Sequence, residues 1–207
     1  MRLLLLSGTA VRQVLGYAAC AGAMREALAA HARGETFQPL RTVHRPDGAA
    51  GFMALMPAYR PGPRAAYGLK AICITPGNPA AGLDTHQGVV LLSRADTGEP
   101  MAVLNASAVT EIRTAAVTAV DTAALAKKDA DVLAVVGTGV QARSHLAAIA
   151  ATRPLSQIRV AGRDGTRAAA FVASLAGPGT DAGHGPGAPG SVRAAGRGRG
   201  RHRGDRD

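Results

Sequence analysis

The stretch Asp131-Val132-Leu133-Ala134-Val135-Val136-Gly137-Thr138-Gly139-Val140-Gln141-Ala142 decides the fold of the second part of this chain. An apolar run stops at two glycines and continues into a helical pattern, which is typical of a dinucleotide-binding strand, turn and helix. Gly137 permits the tight turn, and Gly139 lets a pyrophosphate approach the backbone at the N-terminus of the helix. The alternative is a glycine-rich turn that binds no ligand.

The residues after this motif repeat its pattern and then depart from it. Residues 158–161 predict a second parallel strand and residues 166–175 a second helix, so residues 129–176 form the first half of a Rossmann domain. An acid that would bind the ribose 2′-hydroxyl belongs at the end of this strand, where Gly162 and Arg163 stand. Arg163 can pair with a 2′-phosphate, so the expected cofactor is NAD or NADP. Asp164 as a ribose ligand, or Arg163 as a solvated loop charge, remain the alternatives.

Residues 1–128 alternate strand and helix patterns and predict a mixed α+β domain. Lys70 interrupts the apolar strand Gly68-Leu69-Lys70-Ala71-Ile72. A lysine in such a strand lies either at an exposed edge or in a cleft with a shifted pKa, and the strand by itself favours the edge.

Two arginines of this domain lack an obvious partner. Thr110 is a candidate N-cap, which places Arg113 in the first turn of a helix, where a cation opposes the helix dipole. That position suggests an anionic ligand for Arg113, or else a surface position facing Glu111 or a nearby Asp. Arg41 lies in an extended segment, and for it a plain surface role is equally consistent with the sequence.

Composition excludes several classes of protein. No apolar run reaches the length of about 18 residues that a membrane span needs. The four leucines at 3–6 are shorter than the roughly 7–15 residues of a signal-peptide core. We therefore expect a cytoplasmic protein with no membrane partner. Two cysteines are too few for a disulfide scaffold, and the histidines show no metal-ligand spacing, so we expect no metal site.

Residues 177–207 differ in composition from the rest of the chain. They are rich in Gly, Arg and Pro, and Val192 is their sole aliphatic residue larger than Ala. Such a segment buries too little apolar surface to offset the entropy of ordering, so we predict a disordered tail. It has no interleaved aromatic side chains for base stacking, so we expect no nucleic-acid partner despite the net charge of +10.

Motifs along residues 1 to about 176 resemble those of the ornithine cyclodeaminase/mu-crystallin family. The most specific combination is a Thr-x-x-Arg-Thr-Ala-Ala run followed by Gly-x-Gly-x-Gln-Ala. The matching stretches are Pro39-Leu40-Arg41-Thr42, Met56-Pro57-Ala58-Tyr59, Gly68-Leu69-Lys70, Asn78-Pro79, Gly82-Leu83-Asp84-Thr85-His86, Thr97-Gly98-Glu99-Pro100, Thr110-Glu111-Ile112-Arg113-Thr114-Ala115-Ala116 and Gly137-Thr138-Gly139-Val140-Gln141-Ala142.

The resemblance implies an α/β protein with an N-terminal substrate-binding and dimerisation domain (residues 1–128) before the partial Rossmann domain. It implies a homodimer, and an amino-acid substrate that is bound by Arg41, Lys70 and Arg113. It also gives Lys70 a catalytic role in polarising the substrate and moving a proton. The implied cofactor contacts are Thr85, Arg113, Gly137, Gly139, Val140 and Gln141.

The activity implied by the resemblance is NAD(P)-dependent conversion of L-ornithine to L-proline and ammonia. The alternatives are an alanine dehydrogenase or ketimine reductase of the same family, or a catalytically inactive protein that binds NAD(P) or another ligand. Members of the family are longer and carry a catalytic Asp in the continuation of the Rossmann domain. We therefore expect a chain truncated by a frameshift near residues 175–177, with little or no turnover.

Overall fold

The computed structural model describes residues 2–175 and the backbone of residues 191–196. The chain divides into two compact units, residues 1–120 and residues 121–207, and the long helix α3 continues across the division. The elements of the first unit are β1 (Leu4–Leu6), α1 (Gly8–Val14), α2 (Tyr17–Ala32), β2 (Thr42–His44), β3 (Phe52–Arg60), β4 (Ala66–Ile74), β5 (His86–Arg94), β6 (Pro100–Asn105) and α3 (Ala106–Leu125).

The first unit is built on a six-stranded mixed sheet with the order β1-β6-β5-β4-β3-β2. Strands β2 to β6 pair antiparallel in sequence order, and β1 closes the far edge by pairing parallel with β6. Turns that contain Asp47-Gly48 and Thr97-Gly98 connect β2 to β3 and β5 to β6, with both glycines at positive φ. This order places β4 and β5 in the interior of the sheet.

The two faces of this sheet differ in burial. The buried strand residues Ala54, Ile72 and Ala102 lie on one face, as the strand register from β3 to β6 shows. Ala106 of α3 packs against Ala54 and Ile72 on that face. A second core joins the three helices through small and aliphatic side chains: Val11, Cys20, Ala21, Ala108, Ile112 and Ala116.

The second unit contains a parallel three-stranded sheet with the order β7-β8-β9. Its elements are β7 (Val132–Val136), α4 (Val140–Ala150), β8 (Gln157–Gly162), α5 (Gly165–Leu175) and β9 (Ser191–Gly196). Ile158 and Val160 are its buried strand residues, and Leu146, Ile149 and Phe171 are buried on the helices. Alternating parallel strands and helices in this order form the β–α–β–α predicted for a Rossmann half, extended by one strand.

Strand β9 corrects the prediction that residues 177–207 are entirely disordered. Residues 191–196 form a parallel strand in register with β8, from Gln157↔Ser191 to Gly162↔Gly196. This is the part of the segment with no proline and with its one larger aliphatic residue, Val192, so it can extend beside a buried strand. Residues 177–190 and 197–207, and the predicted frameshift point beyond Leu175, lie outside the described residues.

In the part of the chain that the structure describes, none of the helices combines the length and the apolar character that crossing a membrane requires.

Candidate functional site

Lys70 lies in the interior of the sheet, which corrects the expectation of an exposed edge. It is the middle of β4, opposite Met56 of β3 and Val90 of β5. Its side chain is on the same face as the buried Ile72, and it is half-buried. A lysine at this position lies over the covered face of the sheet.

Arg113 projects from α3, but the start of that helix differs from the prediction. The helix begins at Ala106 and follows β6 directly, so Thr110 is not its N-cap. Asn105 caps it instead, because its side-chain Oδ1 accepts a hydrogen bond of 2.9 Å from the Ala108 N–H. Arg113 therefore lies two turns into the helix, and the argument from the helix dipole does not apply to it.

Arg41, Lys70 and Arg113 form one electrostatic cluster. Desolvation, together with the positive charges of Arg113 and Arg41, lowers the pKa of Lys70 to about 8. Partial burial is also the main cause of the lowered pKa of Arg113, although part of its surface stays exposed, and Arg41 adds to it. Three cations held close together favour the binding of an anion, since each one raises the energy of the others.

Among the described residues, these three cations have no acidic partner of their own. The ion pairs there join other residues, such as Arg12 with Glu111 at 2.8 Å and Arg94 with Asp96 at 2.6 Å. The pairing of Arg12 with Glu111 also excludes the predicted alternative in which Glu111 neutralises Arg113. Arg113 is thus left available for a ligand.

His86 belongs to this cluster and was missed by sequence reasoning. It begins β5, and its pKa is lowered by desolvation first and by Lys70 second, while Asp84 opposes the shift. Its Nδ1 is buried without a hydrogen-bond partner among the described residues, and Ser107 of α3 donates to its backbone oxygen. The signal in the sequence is a polar residue directly beside Thr85 at the start of an apolar strand.

Two threonines of α3 also carry buried hydroxyl groups without partners in the described structure, Thr110 and Thr114. They lie one helical turn apart, and both flank Arg113 on the helix. Buried polar atoms are normally hydrogen-bonded, so unpartnered ones beside a cationic cluster favour a site that receives a polar ligand.

Thr85 stands immediately before β5, next to His86, and its backbone oxygen accepts a hydrogen bond of 2.9 Å from the Thr75 N–H. Its predicted role as a cofactor contact stays a prediction. Cys20, buried on α2, lies within electrostatic reach of Arg113, and burial raises the pKa of its thiol. A protonated thiol in this position contributes packing and no reactive charge.

The second unit presents the predicted glycine turn between β7 and α4. Gly137 has φ of 122°, which only glycine adopts without strain, and its N–H donates to the Ala161 oxygen at 2.8 Å. Gly139 is the N-cap of α4, and the first backbone bond of that helix runs from the Arg143 N–H to the Gly139 oxygen at 3.2 Å. The N–H groups of residues 140–142 therefore have no partner within the helix.

This turn fits the pyrophosphate of a dinucleotide. A β-carbon on Gly137 or Gly139 would meet no atom within 4 Å in the described structure, so open space adjoins the backbone there. The free N–H groups and the positive end of α4 face that region. Val140 and Gln141 are exposed at the start of the helix. The Gln141 backbone oxygen accepts a hydrogen bond of 2.7 Å from the His145 ring, and the Gln141 side-chain amide takes no part in that bond.

The end of β8 carries Arg163 and Asp164, the two predicted ribose contacts. The Asp164 carboxylate accepts hydrogen bonds from the N–H groups of Thr166 and Arg167, at 2.9 and 3.2 Å, and so caps α5. Arg163 is exposed and makes no hydrogen bond or ion pair with any described residue. Because the Asp164 carboxylate is already hydrogen-bonded to the backbone of α5, Arg163 is the better placed of the two to contact a nucleotide.

The structure thus groups the predicted residues into two sets, each within its own unit. Arg41, Lys70 and Arg113 come together with His86 in the first unit, and the glycine turn lies with Arg163 at the carboxyl edge of the sheet in the second. Across the residues that the structure describes, no group of three or more His, Cys, Asp or Glu side chains is arranged to hold a metal ion.

Known proteins share sequence and fold with this chain. A Delta(1)-pyrroline-2-carboxylate reductase of Bacillus cereus is 34% identical over 161 residues, which are 78% of this chain and 47% of that protein. The structure of Thermococcus litoralis Delta(1)-pyrroline-2-carboxylate reductase in complex with NADH and L-proline is similar with a TM-score of 0.81 and 26% identity, covering 93% of this chain and 57% of that one. An archaeal alanine dehydrogenase dimer with bound NAD gives a TM-score of 0.80 at 26% identity, over 96% of this chain and 57% of that one.

The chain spans about half the length of the curated relatives that it matches. The sequence model of the ornithine cyclodeaminase/mu-crystallin family matches residues 2–182, a few residues further than the motifs alone indicate. With most of its length matched, the chain belongs to the ornithine cyclodeaminase/mu-crystallin family.

Proposed function

We propose that this chain binds a small cyclic imino acid and NAD(P), as the substrate and cofactor of an oxidoreductase that reduces a C=N bond to an amine. The observation that carries the proposal is the cluster of Arg41, Lys70 and Arg113, three cations that pair with no carboxylate in the described structure. An α-carboxylate supplies the missing negative charge, and the planar guanidinium groups suit its two oxygens.

Each member of the cluster has a defined task in this proposal. Arg113 and Arg41 bind the carboxylate and orient the ring over the covered face of the sheet. Lys70, protonated below its pKa of about 8, donates a proton to the imine nitrogen and so makes the adjacent carbon electrophilic. When bound, NAD(P)H would supply the hydride; the N–H groups at the start of α4 would hold its pyrophosphate, and Arg163 would contact the ribose side.

Imine reduction is preferred to the predicted cyclodeamination of L-ornithine because the relatives reported above include two pyrroline-2-carboxylate reductases. Conversion of ornithine stays a prediction, as do the alanine dehydrogenase and binding-protein alternatives. The same cationic cluster would serve each of the catalytic alternatives, since each of their substrates carries an α-carboxylate.

Proline formation from Delta(1)-pyrroline-2-carboxylate tests this proposal. The purified full chain is incubated with the imine and either NADH or NADPH, and L-proline is measured by mass spectrometry. The sequence leads us to expect little turnover, and any proline that forms should depend on the cofactor and be lost in Lys70→Met. Production of proline from L-ornithine and NAD⁺, with none from the imine, would favour the cyclodeaminase; no product and no binding of either substrate would reject both.

We also propose that a second copy of the chain covers the open face of the six-stranded sheet. Large apolar side chains lie exposed on this face, on the opposite side from Ala54 and Ile72: Leu5, Met53, Tyr67 and Val89. The alanine dehydrogenase of similar structure is a dimer, which supports a copy of the same fold as the occupant.

Sedimentation of two matched variants tests the dimer. Tyr67→Glu places a charge on the open face and is expected to give a monomer, whereas Leu40→Glu changes a side chain that is 95% exposed outside the sheet strands and leaves the mass unchanged. A wild-type chain that sediments as a monomer would overturn this part of the proposal.

A further inference from the structure

We propose that Lys70 is a covalent binding site for short 2-oxo acids, whose carbonyl carbon is attacked by the lysine amine while Arg41 and Arg113 hold the carboxylate. The product is a Schiff base that blocks the site. This inference rests on the proposed carboxylate site, and it does not depend on which reaction the chain catalyses.

The position of Lys70 limits both its solvation and its motion. It projects from an interior strand, with β3 and β5 hydrogen-bonded on either side and Met56 and Val90 directly opposite. Both of these neighbours pack against the buried cluster of Ala54, Ile72 and Ala106. The half-buried amine is therefore held over an apolar surface and still reaches solvent.

The charges that face Lys70 favour its neutral form. The cations that act on Lys70 are Arg113 on α3 and Arg41 in the segment before β2. His86 of β5 is also close to Lys70, which lowers the pKa of that imidazole, while Asp84 opposes the shift. No carboxylate in the described residues forms an ion pair with Lys70 to offset these cations. Desolvation and this repulsion together lower the pKa of Lys70 to about 8, so a large fraction of the amine is unprotonated in mildly alkaline solution.

A lysine that is desolvated and adjacent to other cations is the usual form of a nucleophilic lysine that reacts with carbonyl compounds. The two guanidinium groups add selectivity because they bind a carboxylate. An aldehyde that has no carboxylate gains nothing from them. Short 2-oxo acids join the electrophilic carbon directly to the carboxylate and match the spacing of a small α-amino or α-imino acid.

The chemical step needs no oxidant, reductant or further reactant. The amine lone pair forms a bond to the carbonyl carbon, and the carbonyl oxygen takes a proton to give a carbinolamine. The hydroxyl group then leaves as water, with a proton from the nitrogen, and a C=N bond to Nζ remains. Addition of water reverses the reaction, so the adduct is in equilibrium with free 2-oxo acid.

Reductive trapping with glyoxylate tests the inference in the full-length chain. The chain contains three lysines, and Lys127 and Lys128 are exposed beyond the end of α3, so they act as internal references. After borohydride reduction at pH 8, peptide mass spectrometry should show a carboxymethyl group on Lys70 at least about tenfold more often than on either reference, because desolvation lowers the pKa of Lys70 and the two arginines hold the carboxylate beside it. L-Proline should protect Lys70 and leave the references unaffected.

Two controls separate the parts of the inference. Acetaldehyde, which has no carboxylate, should label Lys70 with less preference, and Arg113→Gln should reduce the preference for glyoxylate, with circular dichroism to confirm folding. Equal labelling of the three lysines would overturn the inference, and so would equal preference for acetaldehyde and glyoxylate. If calorimetry shows that L-proline binds and Lys70 is still not labelled, the Schiff base is rejected and the proposed function stands; if neither occurs, both are rejected.

Discussion

The cluster around Lys70 and the turn at Gly137 are two candidate sites built from different materials. The first consists of charged side chains from separate elements, brought over one face of a sheet and partly removed from water. The second consists of backbone N–H groups, and the backbone of Gly137 and Gly139, which have no side chains, adjoins open space there. The cluster is therefore costly to assemble and sensitive to charge, whereas the turn is local and sensitive to volume.

This difference predicts how each site responds to substitution. A change of charge in the cluster alters binding of a carboxylate strongly, because a partly buried charged hydrogen bond is lost. Addition of a methyl group at Gly139 alters binding of a dinucleotide and leaves the fold intact, because a β-carbon there would meet no atom within 4 Å and the backbone is extended.

The largest effect is expected at Arg113. Replacement by glutamine removes a charge-assisted hydrogen bond of about 1.5–3 kcal/mol and should weaken L-proline binding by roughly 10- to 100-fold, measured by calorimetry. Arg113→Lys is the matched control: it keeps the charge and loses the planar fork, so its loss should be intermediate. Unchanged affinity in Arg113→Gln would show that the carboxylate does not bind at the cluster.

A smaller effect is expected at the turn. Gly139→Ala places a methyl group where the pyrophosphate approaches and should weaken NADH or NADPH binding about tenfold, or about 1.4 kcal/mol, measured by fluorescence titration. Gly16→Ala is the matched control, because Gly16 is also a helix N-cap with open space around its α-carbon. Equal cofactor affinity in the two variants would contradict a phosphate site at Gly139.

The cap of α3 gives the next prediction, because that helix carries Arg113. Asn105→Ala should lower the free energy of unfolding by about 1 kcal/mol, since it removes the bond to the Ala108 N–H. Thr110→Ala should be neutral or slightly stabilising, because its buried hydroxyl has no partner in the described structure. Urea denaturation compares them, and a greater loss in Thr110→Ala would restore Thr110 as the cap.

The smallest effect is the pH dependence of carboxylate binding. The pKa of Lys70 is lowered to about 8, so below that pH Lys70 is charged and the affinity for a carboxylate is highest. As pH rises through about 8 one positive charge is lost, and affinity should fall by a factor of a few, or on the order of 1 kcal/mol or less. Lys70→Met should remove this dependence, and an affinity for L-proline that rises with pH in the wild type would contradict it.

Interpretation of the sequence is most accurate where the structure depends on neighbouring residues. The turn at Gly137 is a run of consecutive residues, and its strand, glycines and helix follow directly from their order. The motifs of the first unit likewise identify Arg41, Lys70 and Arg113 through the family resemblance.

Features that depend on tertiary structure could not be predicted in this way. The interior position of Lys70 follows from the strand order, which pairs β4 on both sides and is not encoded in β4 itself. The role of His86 depends on its approach to Lys70 from another strand. The start of α3 was misplaced for a local reason, because Asn105 ends a strand and caps a helix at the same position. Strand β9 was missed because its pairing with β8 compensates for weak local propensity.

The pKa of Lys70, measured by NMR in the presence and absence of L-proline, is the most direct test of the cationic cluster. The chain has three lysines, so labelled lysine gives a separate signal for Lys70 and two references. We expect a pKa of about 8 in the free chain, and a higher value with L-proline, because a bound carboxylate stabilises the protonated amine. An ordinary lysine pKa that L-proline leaves unchanged would contradict the account.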